Sequence, residues 1–173
     1  MTIELLAGVL GGAIGGLVIL LFGKLFKKRK LRVKVKKLHE DAIVPKQAYT
    51  GDVGCDLSTI DEGVVPPKTW KIFKTGLTFE PPKGYELQIR SRSGLAAKNG
   101  IFILNSPATI EPTYRGDVGI IVANFSDEPF VVNRFMRLGQ AVFKPYEECV
   151  EFDLRNELSD TERGEKKFGS SGV

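Results

Sequence analysis

A chain of 173 residues with an ordinary apolar share and no repeat at solenoid spacing has room for one well-buried domain and excludes a propeller or helical array. The net charge of +4 is a composite: residues 1–38 hold nine Lys or Arg against Glu4 alone, a local +8, and the remainder holds sixteen basic and twenty acidic residues, a local −4. The body is thus mildly acidic, which excludes a nucleic-acid binder, and Cys55 and Cys149 are too few for a disulfide framework or zinc knuckle and read as small buried hydrophobes in a reducing compartment.

Leu5 to Gly23 is an uncharged, mostly apolar run of 19 residues, LLAGVLGGAIGGLVILLFG. At about 1.5 Å per residue it makes roughly 28 Å of helix, the thickness of a bilayer core. Its six glycines leave little side chain to pack in a soluble core but are tolerated in lipid. A cleaved signal peptide carries its positive charge before the apolar run; here Met-Thr-Ile-Glu precedes it and KLFKKRK follows, the flanks of a retained anchor. The basic flank stays on the cytoplasmic side, so the expectation is a single-pass tether through residues 5–23 with the main domain inside, its lysines against anionic headgroups. Gly8, Gly12 and Gly16 lie four apart, a ridge that permits close helix association.

From Leu31 the pattern becomes short apolar-alternating runs broken by turns. LRVKVKKL, TWKIFKTGLTFE, GYELQIRS, DVGIIVANFS, PFVVNRF, GQAVFKPYE and VEFDLR read as strands, with PPK, KNG, YRGD and SDEP between them. Helical spacing is confined to a turn at SRSGLAAKNG. The expected fold class is all-β, a jelly-roll-like barrel, preceded by the one transmembrane helix. Three segments follow: 1–30 as anchor and basic flank, 31–155 as the β-domain, and 156–173 as a polar, flexible arm.

Four strings carry chemistry. RSRSGLAAKNG supplies guanidinium forks, hydroxyls and a free backbone N–H, which suit a phosphate as well as they suit an exposed basic turn. NSPATIEPTYRGDVG sets Glu111 three residues before Tyr114 and four before Arg115, a reactive cluster or a strand-edge salt bridge. GDVGCDL frames an acid with glycines, a ligand or a turn. RGEKKFGSSG puts Phe168 on a Gly/Ser arm beside Arg163, suited to fold over a nucleotide or simply to remain a tail.

With RLGQAVF these strings stand in the order and spacing of the five motifs of homotrimeric dUTPases, and from Leu31 onward the chain resembles that family. The resemblance implies a homotrimer whose three sites each draw motifs from several subunits, and hydrolysis of dUTP to dUMP and pyrophosphate with Mg²⁺. It implies that Arg92, Ser93 and Gly94 hold the triphosphate with Gln140, that Asn105 and its hairpin read uracil, and that Tyr114 lies against the deoxyribose and leaves no room for a 2′-hydroxyl. Arg163, Ser170 and Ser171 would bind the terminal phosphate, and Phe168 beside Gly169 would stack over the base. Asp56 would arrange the metal and phosphate environment, Arg137 would support the site, and Glu111 would activate the water, with no protein group ligating Mg²⁺ directly.

Four positions depart from the family pattern. Glu111 stands where Asp is usual, Ala108 where Gly is usual, and Lys166 and Lys167 where small glycines are common. The extra methylene of Glu111 moves its oxygens by roughly 1 Å, enough to cost on the order of a hundredfold where geometry is unforgiving. Two alternatives follow: a nucleotide-sensing module at the membrane with blunted catalysis, and a dCTP deaminase-like enzyme.

Overall fold

A computed structural model describes residues 30–167. The segment 5–23 expected as an anchor lies outside the described residues; within them, no helix is long and apolar enough to cross a membrane. The architecture is mostly β, as the alternating runs require, with eleven strands and one short helix among the described residues.

The longest strand, β11 (Arg137–Pro145), organises the sheet that bears the site. It pairs antiparallel with β2 (Cys55–Ser58) on one side and β6 (Tyr85–Ser91) on the other. β8 (Ala108–Ile110) adds to the free side of β6, giving the order β2-β11-β6-β8. A second sheet holds β4 (Trp70–Lys74), β9 (Gly119–Asn124) and β7 (Ile101–Ile103). Two hairpin-like pairs complete the fold: β1 (Lys34–Lys37) with β5 (Leu77–Glu80), and β3 (Gly63–Val65) with β10 (Phe130–Val132).

Period-two patterning dictates which side chains turn inward. Leu87 and Ile89 of β6, Ile101 and Ile103 of β7, Ile120 and Val122 of β9 and Ala141 of β11 are buried together with Leu57, Phe73, Leu77 and Val118 in one core. Each full burial of such a side chain contributes about 1.5–3 kcal/mol. The buried polar groups are mostly paired: the Thr59 hydroxyl donates to the Lys74 carbonyl at 2.9 Å, the Thr75 hydroxyl to the Val118 carbonyl at 2.8 Å, and the Asn124 amide to the Val65 carbonyl at 3.0 Å.

The run TWKIFKTGLTFE, expected as one strand, divides into β4 and β5. Gly76 sits between them at φ +68, a left-handed conformation that ends one ladder and starts another. The helical turn at SRSGLAAKNG is α1 (Ser93–Asn99). VEFDLR, expected as a strand, has no ladder partner: the last strand ends at Pro145, and Val150, Phe152 and Leu154 project into solvent. Its alternation is that of a strand, but no edge among the described residues receives it. The cysteines also depart from expectation, since Cys55 is half-buried and Cys149 is exposed.

Truncation of the core side chain Leu87→Ala is expected to cost about 2–5 kcal/mol through lost burial and a residual cavity. Urea unfolding followed by circular dichroism checks this against Val131→Ala on the exposed side of β10, which should shift the midpoint far less.

Candidate functional site

At one end of the four-stranded sheet, groups far apart in sequence meet. Asp56 projects from β2 with its carboxylate between two arginines: Arg92 Nε donates to Oδ1 at 3.1 Å and Arg137 Nη1 to Oδ2 at 3.1 Å. Arg92 Nη1 also donates to the Arg137 carbonyl at 2.9 Å, closing the triangle. Arg92 is three-quarters buried and Asp56 more so, at 26% and 18% side-chain exposure, so this pair is less screened than a surface ion pair.

Strand register explains the convergence. Gln140 lies directly opposite Asp56 on one side and Arg90 on the other, so the three stand in a row across β2, β11 and β6. They occupy the face opposite the one that buries Leu57, Ala141 and Ile89. The row fits closely against Gly54, where a Cβ would lie 3.1 Å from Gln140 Oε1 and oblige that side chain to give way slightly. Arg92 caps the start of α1 in an extended conformation, and Ser93 and Gly94 follow it as exposed residues of the first turn. Nothing crowds Gly94, so its backbone is open to a ligand.

The connection from β7 to β8, which passes from one sheet to the other, is tied to this element through serines. Ser91 Oγ accepts from the Ile103 amide at 2.9 Å, and Ser106 Oγ from the Ser91 amide at 3.3 Å. Asn105 is exposed at the tip of that connection. Ala108 is buried and pairs with Ile89, so its methyl points into the core and away from that tip.

Glu111 follows β8 at once and is exposed; among the described residues its carboxylate makes no hydrogen bond or ion pair. Its carbonyl accepts from the Tyr114 amide at 3.0 Å, closing a turn. The Tyr114 hydroxyl donates to the Asp117 carbonyl at 2.9 Å, which folds the ring back over Gly116; a methyl at 116 would overlap that ring. Within one chain this turn is not brought to Asp56. Three strand spacings separate β2 from β8, about 14 Å at the usual interval. Among the described residues no hydrogen bond or ion pair joins Glu111 or Tyr114 to Asp56, Arg92 or Gln140.

Arg163 lies in a turn of the exposed C-terminal segment, where its carbonyl accepts from the Lys166 amide at 3.2 Å. Phe168, Gly169, Ser170 and Ser171 lie outside the described residues. Arg115, the basic residue directly after Tyr114 in the same string, reaches out of this region to Glu80, which no motif string singles out.

The site lies on a chain with many relatives. A family model for dUTPase matches residues 40–172. Deoxyuridine 5'-triphosphate nucleotidohydrolases of Clostridioides difficile and Nautilia profundicola are 45% and 42% identical, covering 81% and 82% of this chain and 97% and 99% of their own. Among solved structures, a Staphylococcus bacteriophage 80alpha dUTPase with dUPNHPP superposes with a TM-score of 0.75 at 27% identity, covering 82% of this chain and 99% of that one. A mutant dUTPase of phage phi11 of S. aureus, solved with a structural Mg(II) ion, shares the fold at TM-score 0.68 and 22% identity, over 75% of this chain and 99% of its own. The chain belongs to the dUTPase family.

Burial, with the charges of Asp52 and Asp56, raises the Cys55 thiol above its ordinary range. It therefore stays protonated and weakly nucleophilic at neutral pH. Iodoacetamide at pH 7.5 is expected to label exposed Cys149 well before Cys55, which peptide mapping by mass spectrometry would show.

Proposed function

We infer that the geometry serves Mg²⁺-assisted hydrolysis of dUTP to dUMP and pyrophosphate, with the catalytic groups supplied by more than one copy of the chain. The chain is a dUTP diphosphatase. The observation that carries the assignment of its residues is the Asp56 carboxylate locked between Arg92 and Arg137 beside Gln140, which turns three separated motifs into one positively biased platform.

On that platform Arg92 has hydrogen-bond donors beyond those given to Asp56 and Arg137, and the Ser93 hydroxyl and open Gly94 backbone stand next to it. These groups hold the triphosphate, with Gln140 assisting, and Asn105 with its connection reads the uracil edge. Tyr114, its ring fixed over Gly116, meets the deoxyribose. Arg163, Ser170 and Ser171 grip the terminal phosphate, and Phe168 beside Gly169 covers the base.

Glu111 takes the proton from a water whose oxygen forms a bond to the α-phosphorus. The bond from that phosphorus to the bridging oxygen breaks, and pyrophosphate departs with the electron pair. The unpaired, exposed carboxylate of Glu111 supports this role, since no protein donor competes for it among the described residues. Asp56, with both oxygens engaged, orients the arginines and accepts no proton in the step.

The donor set fits a Mg²⁺ ion carried on the substrate. Phosphate oxygens and waters would supply most of the ligands of such an ion, as oxygen donors do for Mg²⁺ held on a substrate. Bound there, the ion neutralises phosphate charge and favours departure of pyrophosphate.

The same spacing supports assembly into a homotrimer, the state expected of the family. Glu111 and Tyr114 follow β8, three strands and about 14 Å across the sheet from Asp56 of their own chain, which favours the water-activating turn of a second copy as the one that completes each site. The unpaired alternation of Val150, Phe152 and Leu154 supports assembly, because it offers a strand to a neighbour and leads directly into the segment bearing Arg163. Residues 5–23 tether the enzyme to lipid as a single-pass anchor, with the β-domain on the cytoplasmic side; the length of the run and its basic flank support this.

Full-length protein assayed with Mg²⁺ should release pyrophosphate from dUTP and far less from dCTP, dTTP or UTP. Glu111→Gln should lower kcat by about 10²–10⁴-fold, the contribution of a positioned base, while Glu111→Asp preserves or raises it. Tight dUTP binding without turnover would favour the sensor, and ammonia release from dCTP the deaminase. Carbonate extraction of membranes, followed by immunoblotting, should leave the intact chain in the pellet and a variant lacking residues 1–30 in the supernatant.

A further inference from the structure

The turn bearing Glu111 and Tyr114 is fastened at both ends to β5. At its far end Asp117 Oδ1 accepts from the Gly76 amide at 2.9 Å, and the Val118 amide donates to the Leu77 carbonyl at 2.9 Å. At its near end the fastening is Arg115. Its Nη1 donates to the Pro112 carbonyl at 2.6 Å and to the Tyr114 carbonyl at 2.9 Å, and its Nη2 lies 3.6 Å from Glu80 Oε2 at the end of β5. Glu80 is itself held, since its other oxygen accepts from Lys34 Nζ at 2.6 Å, across the β1–β5 ladder where the two residues are direct partners. Hydrogen bonding to Lys34, and then the Lys34 charge, keep the Glu80 carboxyl below the usual carboxylate range, so it remains an anion for Arg115 at neutral pH.

We propose that Arg115 is a positioning residue that sets the placement of Glu111 and Tyr114, and through Tyr114 the discrimination between deoxyribose and ribose. The proposal rests on the roles given above to those two residues. One guanidinium reaches two carbonyls inside the turn and a carboxylate outside it, which requires several donors spread over a rigid plane. Lysine, a single ammonium on a flexible stem, cannot satisfy all three in fixed geometry. The Arg115–Glu80 pair is about half exposed, at 51% and 42%, so as an ion pair it adds little to global stability. Its effect lies in where the turn stands, and a displacement near 1 Å costs on the order of a hundredfold in rate.

The test is steady-state kinetics of the full chain with dUTP and with UTP. Arg115→Ala and Arg115→Lys are expected to lower kcat for dUTP by about ten- to a hundredfold, to narrow the dUTP-to-UTP ratio of kcat/KM severalfold, and to leave the thermal midpoint within a few degrees. Glu80→Gln should move both quantities the same way by less. An unchanged kcat and ratio in Arg115→Ala and Glu80→Gln overturns the proposal. So does an equal loss toward both nucleotides accompanied by a collapse of the thermal midpoint, which would make Arg115 a part of the fold only. Tyr114→Ala separates this inference from the reading beneath it. If that variant loses discrimination while Arg115→Ala keeps it, only the Arg115 inference fails; if Tyr114→Ala keeps discrimination, the role of Tyr114 fails.

Discussion

β11 lies hydrogen-bonded between β2 and β6, and the placement of Asp56, Gln140 and Arg92 follows from that double pairing. Register alone sets Gln140 between Asp56 and Arg90, and one residue beyond β6 the chain delivers Arg92 to the Asp56 carboxylate. A slip of one residue along β11 would send Gln140 into the core and Ala141 out of it. The apolar side of these strands therefore protects the geometry of the polar side: Ala141, Leu87 and Ile89 are wholly buried, and exposing them would cost far more than any gain at the surface.

The carboxylates of the site divide the work according to what surrounds them. Asp56 is enclosed by two cations, the setting of a brace, whereas Glu111 has no partner among the described residues and stands on a turn whose backbone is held from below. A brace and a base have opposite needs. The first must have its lone pairs filled by protein donors, and the second must keep them for water. β5 is the common support on the Glu111 side, because both attachments of the turn end there.

Much of this was legible in the sequence, and the failures have physical reasons. β6 announces itself by period-two burial, whereas β9 buries its last three residues in a row and β11 buries two adjacent pairs, so these two are legible by their apolar runs. β7 and β8 have three residues each, too few for a period to show, and β2 is masked by the glycine-rich approach that makes GDVGCDL look like a turn. Order and spacing of the motifs implied that Asp56, Arg92 and Arg137 belong together, although 36 and 81 residues separate the acid from its partners. Arg115 could not be read this way, because its partners are two backbone carbonyls and a glutamate on a strand that carries no motif. Pattern also records that a segment is strand-like without recording where its partner is, which is why VEFDLR looked like part of the chain's own sheet.

That last segment imposes a hazard on newly made protein. A solitary copy displays Val150, Phe152, Leu154 and Leu158, between 63% and 95% exposed, on a stretch whose backbone has no ladder to join. Such a stretch is a template for indiscriminate cross-β growth until a rightful edge captures it. Glu151, Asp153 and Arg155, interleaved with the apolar residues, act as gatekeepers that slow wrong pairings. Confinement of copies to a two-dimensional surface would raise their local concentration and shorten the time each tail spends unclaimed.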